Sequence, residues 1–220
     1  MSEDIVLRVN RVRAPETSAA EAPTTVRQAQ TALARGDLAE AKTRFAALLA
    51  VEPRHLESLL GMAEIALRQE EHTAAWQFYQ AALNAHPMDA RAQTGLLGLA
   101  AVAGQMDAQT LESRLKTLMR EAPQAATPHF VLGNLLAAEG RWQEAQNAYF
   151  EACLRDRANP DFRYNLAVSL DVLNQPRLAA EQYQEALVAA AAGAPANFAV
   201  AVVEARLLAL RQSLPEERSQ

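Results

Sequence analysis

Asparagine side chains, Asn134 and Asn165 among them, could hold another molecule, because an amide offers a donor and an acceptor at once and can bracket a peptide unit. The other chemistry-bearing residues do not form a constellation. His55, His72, His86 and His129 match no metal-ligand spacing. Three of them fall at boundaries or turns and His129 opens a helix, so all four read as solvated turn residues. Cys153 follows the small Ala152 within a helical run and reads as a small buried filler rather than a nucleophile. As the only cysteine, it excludes an intramolecular disulfide. There is no Gly-rich phosphate loop, nucleophile elbow, metalloprotease histidine pair or paired-cysteine metal spacing. The carboxylates spread over helix faces. The expectation is a chain without catalysis, cofactor or metal.

The elements that would position the asparagines are helices. Half the residues are apolar, only 5% are aromatic, and Ala and Leu dominate. Both lose little side-chain entropy in a helix. The net charge is −5, and Lys and Arg are scattered, which argues against nucleic acid or an anionic membrane as the main partner. The densest basic group, Arg8, Arg11 and Arg13, shares its stretch with Glu3, Asp4 and Glu16. The first residues lack the basic-then-apolar order of a signal peptide. No clean run of about 18 apolar residues occurs, so direct membrane insertion is not expected. These features predict a cytoplasmic protein, peripheral at the inner membrane only through a partner.

The punctuation is periodic. Pro53 and Pro87 lie 34 residues apart, and Pro123 follows after 36. Gly36-Asp37-Leu38-Ala39-Glu40-Ala41, with Phe45 and Leu48 after it, is echoed by Gly140-Arg141-Trp142-Gln143-Glu144-Ala145, with Tyr149 and Ala152. The same frame aligns Leu132-Gly133 with Leu166-Ala167, and Tyr79 with Tyr183. This pattern resembles the tetratricopeptide-repeat (TPR) family, in which each repeat is a pair of antiparallel helices. The resemblance implies an all-α, right-handed superhelical solenoid of about five helix-turn-helix repeats plus a C-terminal capping helix. The expected repeats are 22–55, 56–89, 90–125, 126–159 and 160–193. They follow a flexible tail of 1–21, and a capping helix of 194–214 and a tail of 215–220 come after them. Repeat 90–125 departs from the pattern: its turn is Gly104-Gln105-Met106-Asp107, its aromatic is missing, and Leu111, Leu115 and Leu118 take over the apolar face.

By family position the first helix of each repeat lines a concave surface. The resemblance therefore implies a partner-binding set of Leu60, Glu64, Leu67, Arg68, Phe130, Asn134, Tyr164, Asn165, Val168 and Asp171. Val26, Gln30, Thr94, Gly98, Ala101, Val131 and Ala138 also point inward. Asn134 and Asn165 match the paired asparagines with which many peptide-binding TPRs hold a ligand main chain; Asn165 also suits the Tyr-Asn-Leu start of a TPR helix. Val26, Thr127 and Val131 stand where a chaperone-type carboxylate clamp needs basic residues. An apolar or mixed peptide or a partner helix fits this surface better than an acidic tail.

The ends carry two open questions. The last helix shows one stripe of Phe198, Val202, Ala205 and Ala209 that can cover the final repeat. A second stripe of Val203, Leu207, Leu210 and Leu214 is either buried by a wide cap or a second interface, for a partner or for a homo-oligomer. Residues Ile5 to Val12 suit a disordered tail, an added strand on a partner sheet, or a short helix. Asn159 to Asp171 resembles the last repeat of bacterial TPR proteins associated with type IV pilus (mannose-sensitive haemagglutinin type) and type II secretion machinery. That resemblance implies an assembly scaffold for a pilus or secretion component; the alternative partner is an exported client, held by a cytosolic TPR chaperone.

Overall fold

Each hairpin closes where one residue leaves the right-handed helical region. Gly36 (φ 76°), Glu70 (59°), Gly104 (69°), Gly140 (75°) and Asn174 (56°) recur at intervals of 34, 34, 36 and 34 residues. After each, the next amide returns to the helix it has left: Asp37 to Ala32, Glu71 to Ala66, Gln105 to Ala100, Arg141 to Leu136 and Gln175 to Leu170, all at 2.8 to 2.9 Å. This is the Schellman closure, which satisfies carbonyls that a helix end would strand. The glycines were visible in the sequence as turn signals, whereas Glu70 and Asn174 do the same work without that signature.

The computed structural model describes residues 22–194 and 196–213. Among these it is all helix: α1 (Ala22–Ala34), α2 (Leu38–Val51), α3 (Leu56–Arg68), α4 (His72–Ala85), α5 (Ala90–Val102), α6 (Ala108–Glu121), α7 (Thr127–Ala138), α8 (Trp142–Arg155), α9 (Pro160–Val172), α10 (Pro176–Ala191) and α11 (Val200–Ser213). Ten helices form five consecutive antiparallel pairs, stacked side by side into an all-α solenoid, with α11 laid on α10. The tail 1–21, Leu214 and residues 215–220 lie outside the described residues. The last helix begins at Val200 rather than near Ala196.

Several starts are held by side chains. Asp37, Asp89 and Asp107 accept from the third amide of the helices they open, and His55 accepts from Ser58 through Nδ1. A cap of this kind contributes about 1 kcal/mol.

The pairs are joined by rings set against backbone. A Cβ on Gly61 would lie 2.4 Å from the Phe45 ring, and one on Gly95 would lie 2.4 Å from the Tyr79 ring. In both cases the second helix of one pair packs on the first helix of the next. The third pair departs, as its sequence predicted. Leu115, fully buried, stands where the aromatic is missing, and at the frame position held by Gly61 and Gly95 the following pair carries Val131. A smaller side chain on one helix thus coincides with a larger one on the next. Leu111 and Leu118 are buried beside Leu115, and α5 reaches past α6 to touch α7 directly. Arg141 ties the third pair to the fourth, bonding Glu112 at 2.8 Å as well as Glu139 and Glu144.

Glu70 is exposed, and its left-handed conformation costs roughly 1–2 kcal/mol for a residue with a Cβ. Glu70→Gly is therefore expected to stabilise the fold by about 1 kcal/mol, less the entropy that glycine adds to the unfolded chain. A rise in the urea midpoint at unchanged slope checks this.

Candidate functional site

The stacking turns the first helix of each pair to one side. There the chain forms a groove of about 1240 Å³. Its walls come from Arg27 and Gln30 on α1, Leu60, Glu64 and Leu67 on α3, Thr127, Phe130 and Val131 on α7, and Asp161 and Phe162 at the start of α9. Its floor is α5, through Arg91, Thr94, Gly95, Gly98 and Val102. Asn197 closes the far end.

Some of the charged groups on the walls are ion-paired. Arg91 binds Glu57 at 2.8 Å and Asp89 at 3.3 Å, and Glu64 binds Arg68 at 2.7 Å. Hydrogen bonds and charge from Glu57 and Asp89 outweigh partial burial and hold the Arg91 guanidinium above its ordinary pKa. Burial, with the Glu64 carboxylate adding to it, pushes the Tyr79 phenol under the floor up to about 12. The groove therefore offers apolar surface beside charges that are in part paired within the chain.

Of the sequence-predicted set, Leu60, Glu64, Leu67 and Phe130 line this groove, together with Gln30, Thr94, Gly98 and Val131. Arg68 is turned inward between the first two pairs, donating to Leu33 O at 3.1 Å and to Glu64. Neither asparagine is wholly free. Tyr149 Oη donates to Asn134 Oδ1 at 2.9 Å, and Asn165 Nδ2 donates to Asp161 O at 2.8 Å. Each amide has one end committed to its own chain. Val168 is half-buried against the core.

The chain itself occupies the concave side of the last pair. Phe198 stacks on Tyr164 with ring centroids 4.9 Å apart. Arg206 forks onto both oxygens of Asp171 at 2.6 Å. Asn197 donates to both oxygens of Asp161, from its backbone at 2.7 Å and its side chain at 2.6 Å. Tyr164 and Asp171 are thus already engaged by the segment entering α11 and by α11. The grip of Asn197 and Arg206 had no short-range signature, because the partners lie 36 and 35 residues apart.

Of the two readings of α11's second stripe, burial by a wide cap is the one the structure shows, while Val202 of the first stripe is left outside. Val203, Leu207 and Leu210 are buried, at 2%, 5% and 4% exposure, so they belong to the cap's inner face and form no second interface. Val202 and Leu208 face outward at 65% and 58%. Apolar residues occur on every side of this helix, so periodicity alone had no preferred face. His129 is likewise corrected. It is 5% exposed, not solvated, and neither ring nitrogen has a hydrogen-bond partner. Cys153 is buried as expected, and burial pushes its thiol up to about 11. Among the described residues no cluster of His, Cys, Asp or Glu could hold a metal ion, and no helix is long and apolar enough to cross a membrane.

A family model described as tetratricopeptide repeat matches residues 26–87 and 130–195, leaving out the divergent third pair. Among solved structures, the thermophilic TPR protein TTC0263 of Thermus thermophilus superposes with a TM-score of 0.63 at 20% identity, over 87% of this chain and 99% of that one. The pilF protein of Pseudomonas aeruginosa superposes with a TM-score of 0.51 at 17% identity, over 88% and 85%. At these identities the likeness is one of fold. No curated protein matches the chain.

Two outcomes are expected. Asn134→Ala strands the Tyr149 hydroxyl of a residue that is 2% exposed, and costs about 1–3 kcal/mol. Adding Tyr149→Phe recovers part of that loss, which a double-mutant cycle in urea reads. Burial, with Arg155 adding to it and Glu151 opposing, holds the His129 pKa below its ordinary 6.5. The unfolded chain then binds this proton more readily than the folded one. Stability is full above about pH 6.5 and declines as pH falls toward the folded pKa. His129→Leu is expected to flatten that part of the profile, measured as urea midpoints on either side of that pH.

Proposed function

The chain belongs to the tetratricopeptide-repeat family, whose fold serves as a protein-interaction scaffold, and we propose that this member receives a protein segment in the groove of α1, α3, α5 and α7. The observation that carries the reading is the groove itself. It is built from the first helix of four successive pairs, it is open, and Glu64 and Arg91 on its walls are already ion-paired, with Arg68 and Glu57. An incoming segment can bury apolar surface there without breaking these pairs.

The finer reading is an assembly scaffold for a bacterial pilus or secretion machine. Its support is the resemblance of residues Asn159 to Asp171 to the last repeat of proteins of that kind. In this chain the segment is the N-cap and nearly all of α9, the first helix of the last pair.

Affinity capture from the source bacterium tests both levels. The bait is the full chain, beside Leu67→Arg/Val102→Arg, which alters two exposed groove residues, and beside a deletion of residues 2–13. Retention of a pilus or secretion ATPase or platform subunit by the wild type, and at least tenfold less by the groove variant, is the expected result. Loss only on deleting 2–13 moves the docking element to the tail. Exported proteins as the retained prey replace the scaffold by a chaperone for secreted clients.

A further inference from the structure

Seven of the eight glycines have a structural reason. Gly36, Gly104, Gly140 and Gly193 hold positive φ, where a Cβ is strained. Gly61, Gly95 and Gly133 each lie under an aromatic ring that a Cβ would strike at 2.4 to 2.5 Å. Gly98 has neither. It sits inside α5 with ordinary helical φ, and a Cβ there would meet nothing within 4 Å. Glycine weakens a helix interior relative to alanine, and neither packing nor backbone geometry accounts for it here. The open space above it belongs to the groove.

The surroundings define what that space can take. One turn along the same face stands Val102, 71% exposed, and Leu67 across the groove is 36% exposed. One turn back, the Thr94 hydroxyl is turned into its own helix, donating to Ala90 O at 2.6 Å. On the walls Glu64 is ion-paired with Arg68 and Arg91 with Glu57. A charged side chain entering here would be desolvated against an apolar floor, whereas an apolar one would cover Val102 and Leu67 and exclude water from it.

The geometry points to Gly98 as the base of a notch that seats one bulky uncharged apolar side chain, of leucine, methionine or phenylalanine size, from the partner segment. Gly98 is then a specificity-determining residue of the groove: its missing side chain is the volume the partner fills. The inference rests on the groove reading above and adds to it the kind of residue the partner must carry and where it lands.

The test is a selection of random dodecapeptides by display on the full chain, followed by fluorescence polarisation of individual synthetic peptides on wild type, Gly98→Leu, Gly98→Ala and Leu67→Arg. The expected peptides share one bulky apolar position, and alanine there weakens binding at least tenfold. Gly98→Leu weakens it at least tenfold and Gly98→Ala by a smaller factor. The alanine peptide is almost indifferent to both variants. Thermal melting of Gly98→Leu and Gly98→Ala is expected at or above the wild-type temperature, since the space above Gly98 is open. The notch falls if Leu67→Arg abolishes binding while Gly98→Leu changes it less than twofold, or if the peptides share a charge and no bulky apolar residue. It also falls if both glycine variants melt several degrees low. Peptides indifferent to Leu67→Arg as well overturn the groove reading itself, and an empty selection overturns the notch.

Discussion

The ring-on-backbone contact between successive helix pairs is the interaction on which this structure depends. Phe45 lies on Gly61 and Tyr79 on Gly95, each so close that no side chain could stand between them. Adding even a methyl at such a site typically costs about 1–3 kcal/mol through overpacking. A single hairpin has one apolar face and no partner for it; the ring of one pair supplies that partner for the next. The contact also sets how far apart the first helices stand, and therefore how wide the groove is. The stack and its groove are consequences of one spacing.

The third pair shows the spacing reached by different side chains. Its ring is gone, Leu115 is buried in its place, and the next pair carries Val131 where Gly61 and Gly95 sit elsewhere. The direct meeting of α5 with α7 brings an Ala- and Gly-rich helix to the floor of the groove. The stretch 88–129, between the two parts of the family match, includes α5, the floor of the groove.

At the far end the solenoid closes on itself. Buried apolar contacts hold α11 to α10, while Asn197, Phe198 and Arg206 reach the first helix of the last pair. Arg206 and Asp171 form a two-point fork, which fixes the angle of α11 as well as its distance. The concave side of that pair is partly covered by the segment entering α11 and by α11, and the open groove runs along the four pairs before it to the start of α9.

Much of this was legible without coordinates. The 34-residue rhythm, the turn glycines, the ring positions and the irregular third pair are short-range facts, and each repeats, so one frame explains many residues at once. Leu60, Glu64, Leu67 and Phe130 followed from that frame because their facing is set by the phase of their own helices. What only the tertiary structure decided lies where one residue meets another far along the chain. Tyr149 claims one end of Asn134, Asp161 is claimed by Asn197, His129 is buried at the mouth of a helix, and the apolar-all-round α11 turns Val203, Leu207 and Leu210 inward. Periodicity says which residues share a face, but which face is covered depends on the neighbour that arrives, and neither composition nor spacing records that arrival.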